Sequence, residues 1–344
     1  MTQYIIRRLL QAIPLLFIIS LVLFILMDNV GDPLATMGGR SVTRASDRAR
    51  LTRQLGLDQP ILVQYLFWLI GNDWTQVDID GDGVAESPGA RRGILRGDFG
   101  MSLVSRGKSA LEVITERIPN TLLLMIAAEI VIIAGALIIG IYSTLHQYSL
   151  VDHAVTTASF IFYSMPIFFI ALVSIYLFSV NFKAWGLPYL PPNGMFDPEV
   201  GKTPGQVLLH MVLPVFSIAT ISFAAYSRYI RSTMLEVMNQ DYIRTAKSKG
   251  LARRYILFVH ALKNASLPIV TVVGLDLPLL LGGALVTERI FAWPGMGRLF
   301  LDHVERIDTP VVMGILMLIS VAVVMFQIIT DVVYAWLDPR IRLK

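Results

Sequence analysis

The chain contains no cysteine. Disulfides, thiolate nucleophiles and Cys-ligated zinc therefore lie outside its chemistry. Charge is also scarce. Only 16% of its 344 residues are Asp, Glu, Lys or Arg, whereas a soluble globular chain carries about a quarter. No histidine falls between Asp28 and Asn120, the one long polar stretch. A histidine-based catalytic or metal cluster is thus excluded there. No G-x-x-x-x-G-K-[ST] phosphate loop occurs, so the chain has no nucleotide-hydrolysing centre of that type. Nor does any basic stripe interleave with aromatics in the manner of a nucleic-acid-binding surface.

Apolar sequence dominates instead. Hydrophobic residues make up 55% of the chain, and the mean hydropathy is +0.63. They gather in six runs: Leu9–Met27, Thr121–Leu145, Ala154–Val180, Val207–Tyr226, Ser266–Thr287 and Val311–Thr330. Each is of a length to cross a hydrocarbon core of roughly 30 Å. In lipid the backbone must satisfy its own polar groups, so helices are expected. Barrel strands would alternate, and these runs do not. The first run follows Arg7 and Arg8 but is longer than a signal-peptide core. It also lacks a small-residue cleavage site, so it is read as an uncleaved span.

Orientation follows from Lys and Arg in the short loops. With six spans, one side holds Arg7, Arg8, Arg228, Arg231, Arg244, Lys247, Lys249, Arg253, Arg254, Lys263, Arg340, Arg342 and Lys344. The other holds Lys183, Lys202, Arg289, Arg298 and Arg306. Both termini and the segment Asp241–Pro268 are therefore expected in the cytoplasm. The long loop after the first span is expected outside. Within it, Asp47–Leu69 reads as helix and Ser109–Pro119 as an amphipathic helix entering the second span. The stretch Asn72–Arg92 is Gly- and Asp-rich, as in an ordered turn or insertion.

The segment Asp241–Pro268 is basic and helix-prone. Tyr242–Lys249 can form two helical turns, with Ile243 and Ala246 on one side. Gly250 suits the left-handed residue that ends a helix. A second amphipathic helix is expected over Leu251–Leu262. Two readings are open: a positive-inside loop that only sets topology, or an elbow that docks a soluble partner.

Glu129 and Asp276 lie inside apolar runs. A carboxylate at the bilayer centre costs at least about 2.5 kcal/mol, so it usually faces a cavity or a partner. They read either as the wall of a translocation path, meeting a substrate ammonium, or as contacts to a partner subunit. Pro166 and Pro278 are expected to break spans along such a path. Asp331 and His210 read as interfacial.

Asp78, Asp80 and Asp82, followed by Gly83, form the D-x-D-x-D-G start of a calcium loop. Glu86 stands at the ninth position. Gly89 occupies the twelfth, where a bidentate Glu is usual. Calcium and a plain acidic turn are both open.

Several stretches carry a family resemblance. Tyr242, Arg244, Thr245, Ala246, Lys249, Gly250 and Leu251, then His260, Leu262, Asn264 and Pro268, resemble the cytoplasmic loop of permease subunits of binding-protein-dependent ABC importers. The match is to the dipeptide/oligopeptide/nickel class. Arg244 stands where the general family motif begins with Glu, and the Gly-to-Pro spacing is longer; both departures suit that class. Gly97–Ser102 with Glu116–Thr121, Glu288–Gly297 and Asp331–Arg342 also resemble the family. Only about Asn72–Arg92 falls outside the likeness.

The resemblance implies an all-α integral membrane protein with six transmembrane helices, the type I ABC importer permease fold, and an extracytoplasmic insertion between spans one and two. Residues 1–28 would be an anchor, 29–118 the extracytoplasmic region, and 119–344 the permease core with its coupling loop 228–265. It implies a transport subunit and not an enzyme. Its partners would be a second permease, two ATPases carrying ATP and magnesium, and an extracytoplasmic binding protein. Asp241, Tyr242, Arg244, Thr245, Ala246, Lys249, Gly250 and Leu251 would couple it to an ATPase. The expected cargo is di- or oligopeptides. Nickel chelates and glycosides are alternatives, and a membrane sensor or enzyme with its site in the outer loop, or an autonomous channel, are readings of another class.

Overall fold

The computed structural model describes residues 2–30, 45–80, 82–105, 107–265, 269–270, 272–274, 276–277 and 284–337. The protein is mostly helical. Among the described residues, five helical stretches are long and apolar enough to cross a membrane: Ile5–Asn29, Ala110–Leu145, Ile167–Ala184, Pro204–Met238 and Thr309–Val333. Half of the fifth apolar run, including Pro268 and Pro278, lies outside the described residues. Of its described parts, residues 269–270, 272–274, 276–277 and 285–287 are helical.

Contacts divide the chain into two compact units. One comprises Ile6–Pro119 with Leu299–Ala322; the other comprises Met1–Ile5, Asn120–Arg298 and Val323–Lys344.

In the first unit, helix α1 (Thr2–Val30) runs on through Pro14. The single helix expected over Asp47–Leu69 is two helices, α2 (Ala45–Gln54) and α3 (Ile61–Ile70). Gly56 and Pro60 divide them. Gly56 has φ 68°, and a Cβ there would lie 2.5 Å from the Phe67 ring. Tyr65 of α3 is buried, and its hydroxyl lies 2.7 Å from Ser20 Oγ of α1.

The Gly/Asp-rich stretch is a small ordered hairpin. Strands β1 (Gln76–Val77) and β2 (Ser87–Pro88) pair antiparallel, with Gln76 opposite Pro88. Asn72, fully buried, ties its base. The Asn72 amide donates to Gln54 O at 3.1 Å, and its Oδ1 accepts the Arg91 N–H at 2.9 Å. The Asp308 carboxylate pins a second segment, accepting the Ser102 hydroxyl at 2.6 Å and the Val104 N–H at 3.1 Å.

The amphipathic helix expected near Ser109 is α4 (Ala110–Thr115). Ser109 caps it by accepting the Glu112 N–H at 3.1 Å, which satisfies one of the free first-turn donors. The chain then continues as α5 (Ile118–Leu145).

In the second unit, the third apolar run is interrupted. Helix α6 (Leu150–Ser164) ends at Met165, and Met165 and Pro166 are both extended. Proline lacks the donor that the helix would need there. Helix α7 (Ile167–Ile175) then starts, and continues through a π-type stretch, Tyr176–Asn181, to Ala184. The spanning segment thus begins at Ile167 and not at Ala154, and the break at Pro166 was legible beforehand.

Helix α8 (Pro204–Met238) extends well beyond its apolar run at both ends. Pro204 occupies its first turn, and Thr203 Oγ1 caps it by accepting the Gln206 N–H at 3.4 Å. His210 is buried, with Nδ1 3.0 Å from Asn193 O, so it packs against the preceding loop. The core of this unit joins Leu124, Ile132 and Ala136 of α5 to Ile218, Ile230 and Met234 of α8. Gly140 permits the approach of the two helices. A Cβ there would lie 2.6 Å from Ile230 and 3.1 Å from the Ser227 carbonyl.

Candidate functional site

The basic segment folds as a helical elbow. Helix α9 (Asp241–Ser248) follows α8 after only Asn239 and Gln240. Its pattern is sharply two-sided. Ile243 is fully buried and Ala246 nearly so, and both join the core that holds Ile230 and Met234. Asp241, Tyr242, Arg244, Thr245 and Lys247 are exposed. Residues three apart lie on one helical face, so two apolar side chains suffice to seat two turns.

Gly250 ends the helix as its sequence position indicated, with φ 74°. Its N–H donates to Lys247 O at 3.0 Å, and the Leu251 N–H reaches back to Ala246 O at 3.3 Å. These two bonds form the Schellman motif, which satisfies carbonyls that the helix end leaves open. The next helical stretch begins at Arg253, not Leu251, and passes through a π-type segment, Ile256–Ala261, to Ala265. Leu251 is therefore an exposed turn residue. Tyr242 closes the elbow, its hydroxyl accepting from the Asn264 amide at 2.9 Å.

The residues expected to couple to an ATPase thus fall into two groups. Asp241, Tyr242, Arg244, Thr245, Lys249, Gly250 and Leu251 lie on the exposed side. Ala246 faces inward, so it seats the elbow and presents nothing to a partner. Arg244 makes a long, exposed contact of 3.6 Å with Asp241, a pair of little energetic weight.

Two of the residues expected along a path come together. Glu129 of α5 is buried, and its Oε1 accepts the hydroxyl of buried Tyr226 at 3.3 Å. Its Oε2 has no hydrogen-bond partner among the described residues. Asp276 lies beside the same hydroxyl. Sequence reasoning singled out the two carboxylates but missed Tyr226, which reads as one more aromatic in an apolar run. Pro166 sits at the α6–α7 break and is not part of this cluster. A separate cavity of about 660 Å³ opens between α5, α6 and α8. Apart from Ser159 and Thr220, its walls are apolar.

At the hairpin tip, carboxylate oxygens of Asp78, Asp80 and Asp82 lie within 4.8 Å of one another. That spacing allows them to share one cation. Asp78 and Asp82 also accept the N–H groups of Gly83 and Val84 at 2.9 and 2.8 Å. Such bonds hold an acidic turn without any ion. Glu86 is exposed and outside the group.

Two further arrangements were not legible in the sequence. Glu288 is fully buried. It accepts the Thr121 hydroxyl at 2.8 Å and the Arg298 N–H at 3.0 Å. Trp293 Nε1 donates to Asn120 O at 3.0 Å, and the Asn120 amide donates to Pro294 O at 2.8 Å. Gly295 belongs there because a Cβ would fall 2.2 Å from Glu288 Oε1. Two stretches that resemble the family separately are thus one knot. The second arrangement is an ion pair between Asp152 of α6 and Arg231 of α8, with contacts of 3.0 and 2.8 Å.

Comparison with known proteins follows from this architecture. The family model described as "Binding-protein-dependent transport system inner membrane component" matches residues 136–343, and the model for the N-terminal part of such membrane components matches residues 1–125. The oligopeptide transport system permease protein AppB of Bacillus subtilis is 39% identical over 343 residues, covering 99% of this chain and 100% of that protein. The dipeptide transport system permease protein DppB of Escherichia coli K12 is 34% identical over 361 residues, covering 100% of both. The di/tripeptide transport system permease protein DppB of Pseudomonas aeruginosa is 36% identical, covering 99% of both. The chain belongs to the family of inner membrane components of binding-protein-dependent transport systems: it is a multi-pass transport permease and not an enzyme.

Proposed function

We infer that this permease carries peptides, and that it forms one half of a translocation path driven by separate ATPases. The peptide reading rests on the relatives above, whose names specify oligopeptide, dipeptide and di/tripeptide transport over full-length alignments. The partners are a second permease, two cytoplasmic ATPases and an extracytoplasmic binding protein. Six spans leave both termini and the elbow in the cytoplasm, with residues 29–118 outside.

The observation that carries the coupling role is the shape of α9. Two inward residues seat it, a Schellman turn stops it, and the rest of its surface is left open to a partner. A loop that served topology alone needs charge but neither a seat nor a stop. In alternating access, closure of the ATPases pushes α9, and the spans exchange inward and outward openings.

Along the path, Glu129, Tyr226 and Asp276 offer two carboxylates and a hydroxyl inside apolar surroundings. Their chemistry suits the ammonium group of a peptide as it passes. Pro166 supplies a break of the kind that such paths use.

The test is copurification and transport. Gly250→Pro removes the N–H that closes the Schellman turn and forbids the left-handed φ. The expected result is loss of the ATPase from the purified complex and loss of dialanine uptake. A complete complex with normal uptake would refute the coupling role.

A further inference from the structure

We propose that the Asp152–Arg231 pair, backed by Arg228, is the joint through which movement of the elbow reaches helix α6. The inference rests on the reading of α9 as the coupling helix.

The grip is geometrically strict. Arg231 Nε and Nη2 contact Asp152 Oδ1 and Oδ2 at 3.0 and 2.8 Å. A two-point guanidinium contact fixes orientation as well as distance. The Asp152 side chain is only 3% exposed. Burial would raise its carboxyl, but the Arg231 guanidinium and the Tyr148 N–H hold it below its ordinary value.

Arg231 holds the first turn of α6, which is itself braced. Asp152 Oδ2 accepts the Tyr148 N–H at 3.0 Å, and the Asp152 N–H donates to Ser149 Oγ at 3.2 Å. Tyr148 has φ 61°, a strained value for an aromatic residue, maintained because these bonds over-determine the turn. One helical turn earlier on α8, the Arg228 guanidinium lies 4.7 Å from the Phe160 ring centre and 5.1 Å from that of Tyr163. Such contacts are favourable at this range. Helix α6 is therefore held at both ends of its length by one helix.

That helix is the one that leads to the elbow. Asn239 and Gln240 form a tight turn between the two helices: their N–H groups donate to Glu236 O and Val237 O at 3.2 and 3.1 Å, and Gln240 is extended. Ile243 and Ala246 pack into the core of Ile230 and Met234, which flank Arg231. A push on α9 thus reaches the stretch that carries both arginines. At its far end α6 meets the extended Met165 and Pro166, so it can swing as an arm without dragging α7.

The experiment uses the whole complex in proteoliposomes, with radiolabelled dialanine and its binding protein. Arg231→Lys keeps the charge and loses the two-pronged fork. The expected result is normal assembly and normal ATP hydrolysis, with dialanine moved per ATP reduced roughly tenfold, within the usual range of coupling between sites. Transport per ATP at the parent level would overturn the proposal. Gly250→Pro is run beside it. Normal transport by Gly250→Pro removes the coupling reading itself, whereas parental coupling in Arg231→Lys beside an inactive Gly250→Pro removes only the joint.

If Arg231→Lys does not assemble, spin labels decide. The chain has no native cysteine, so labels at Leu150→Cys on α6 and Glu236→Cys on α8 are unambiguous. A separation that is unchanged when ATP binds supports a rigid joint. A separation that changes overturns it.

Discussion

The elbow Asp241–Gly250 and the hairpin tip Asp78–Glu86 are both short, polar and largely exposed, and each has a glycine at positive φ. They differ in what lies beneath. The elbow places Ile243 and Ala246 in the main core of its unit. The tip is held by its own carboxylates and by two-residue strands. A surface segment acts as a lever only when its motion must displace something packed. A buried isoleucine forces that, because close-packed interiors transmit strain. A self-contained turn does not.

The largest break in this contrast is Ile243→Asp. It buries a carboxylate among the apolar side chains of the core, at a cost of several kcal/mol. The expected outcome is loss of the permease–ATPase complex in size-exclusion chromatography, together with loss of dialanine uptake. Retention of both would show that the elbow is not seated through this residue.

A middle-sized effect is expected of Gly250→Ala. Alanine keeps the N–H of the Schellman turn but pays about 1–2 kcal/mol for a left-handed backbone. Nothing lies within 4 Å of the added Cβ, so sterics add nothing. The complex should assemble with a lowered melting temperature, followed by a thermal-shift assay. An unchanged melting temperature would mean that the turn relaxes freely.

The smallest effect is expected at the hairpin. Replacing residues 78–86 by Asn-Gly leaves Val77 and Ser87 joined by a two-residue turn of favoured type. Stability should change by less than about 1 kcal/mol, and uptake should equal the parent's. The intact tip lacks a twelfth-position ligand, so calorimetric titration with calcium should give no heat below about 1 mM. Saturable heat at lower calcium, or loss of uptake on trimming, would raise the tip to the standing of the elbow.

Much of the architecture was legible in local pattern. Five of the six apolar runs contribute spanning helices, and the fifth, Ser266–Thr287, is described only in fragments. Run length alone measures bilayer thickness. Gly250 was legible because one residue type tolerates one backbone conformation. Pro166 was legible because a proline cannot donate to a helix. Boundaries were less so. The third run read as one span, since Ser164–Pro166 barely interrupts its hydropathy, yet the backbone breaks there. The helix Asp47–Leu69 split for a similar reason: Gly56 and Pro60 lie in a stretch whose apolar stripe survives the turn.

The site was legible only where a residue's role is carried by its neighbours in sequence. The inward turn of Ala246 follows from its spacing to Ile243. Partnerships at a distance do not follow from anything local. Tyr226 meets Glu129 across 97 positions, Thr121 meets Glu288 across 167, and Arg231 meets Asp152 across 79. Arg231 entered the sequence reading only as one of many basic residues near a membrane face.

By itself the sequence determined that this protein lives in a membrane, that it is helical, where its basic elbow begins and ends, and that it carries no phosphate loop. Those properties depend on hydropathy, backbone conformation and motif spacing, all of which are written locally. Only the tertiary structure decided that the elbow packs on the core holding Ile230 and Met234 of α8. It also decided that Glu288, Thr121 and Gly295 form a single knot. Those depend on which side chains reach one another after burial, and reach is a property of the packed chain.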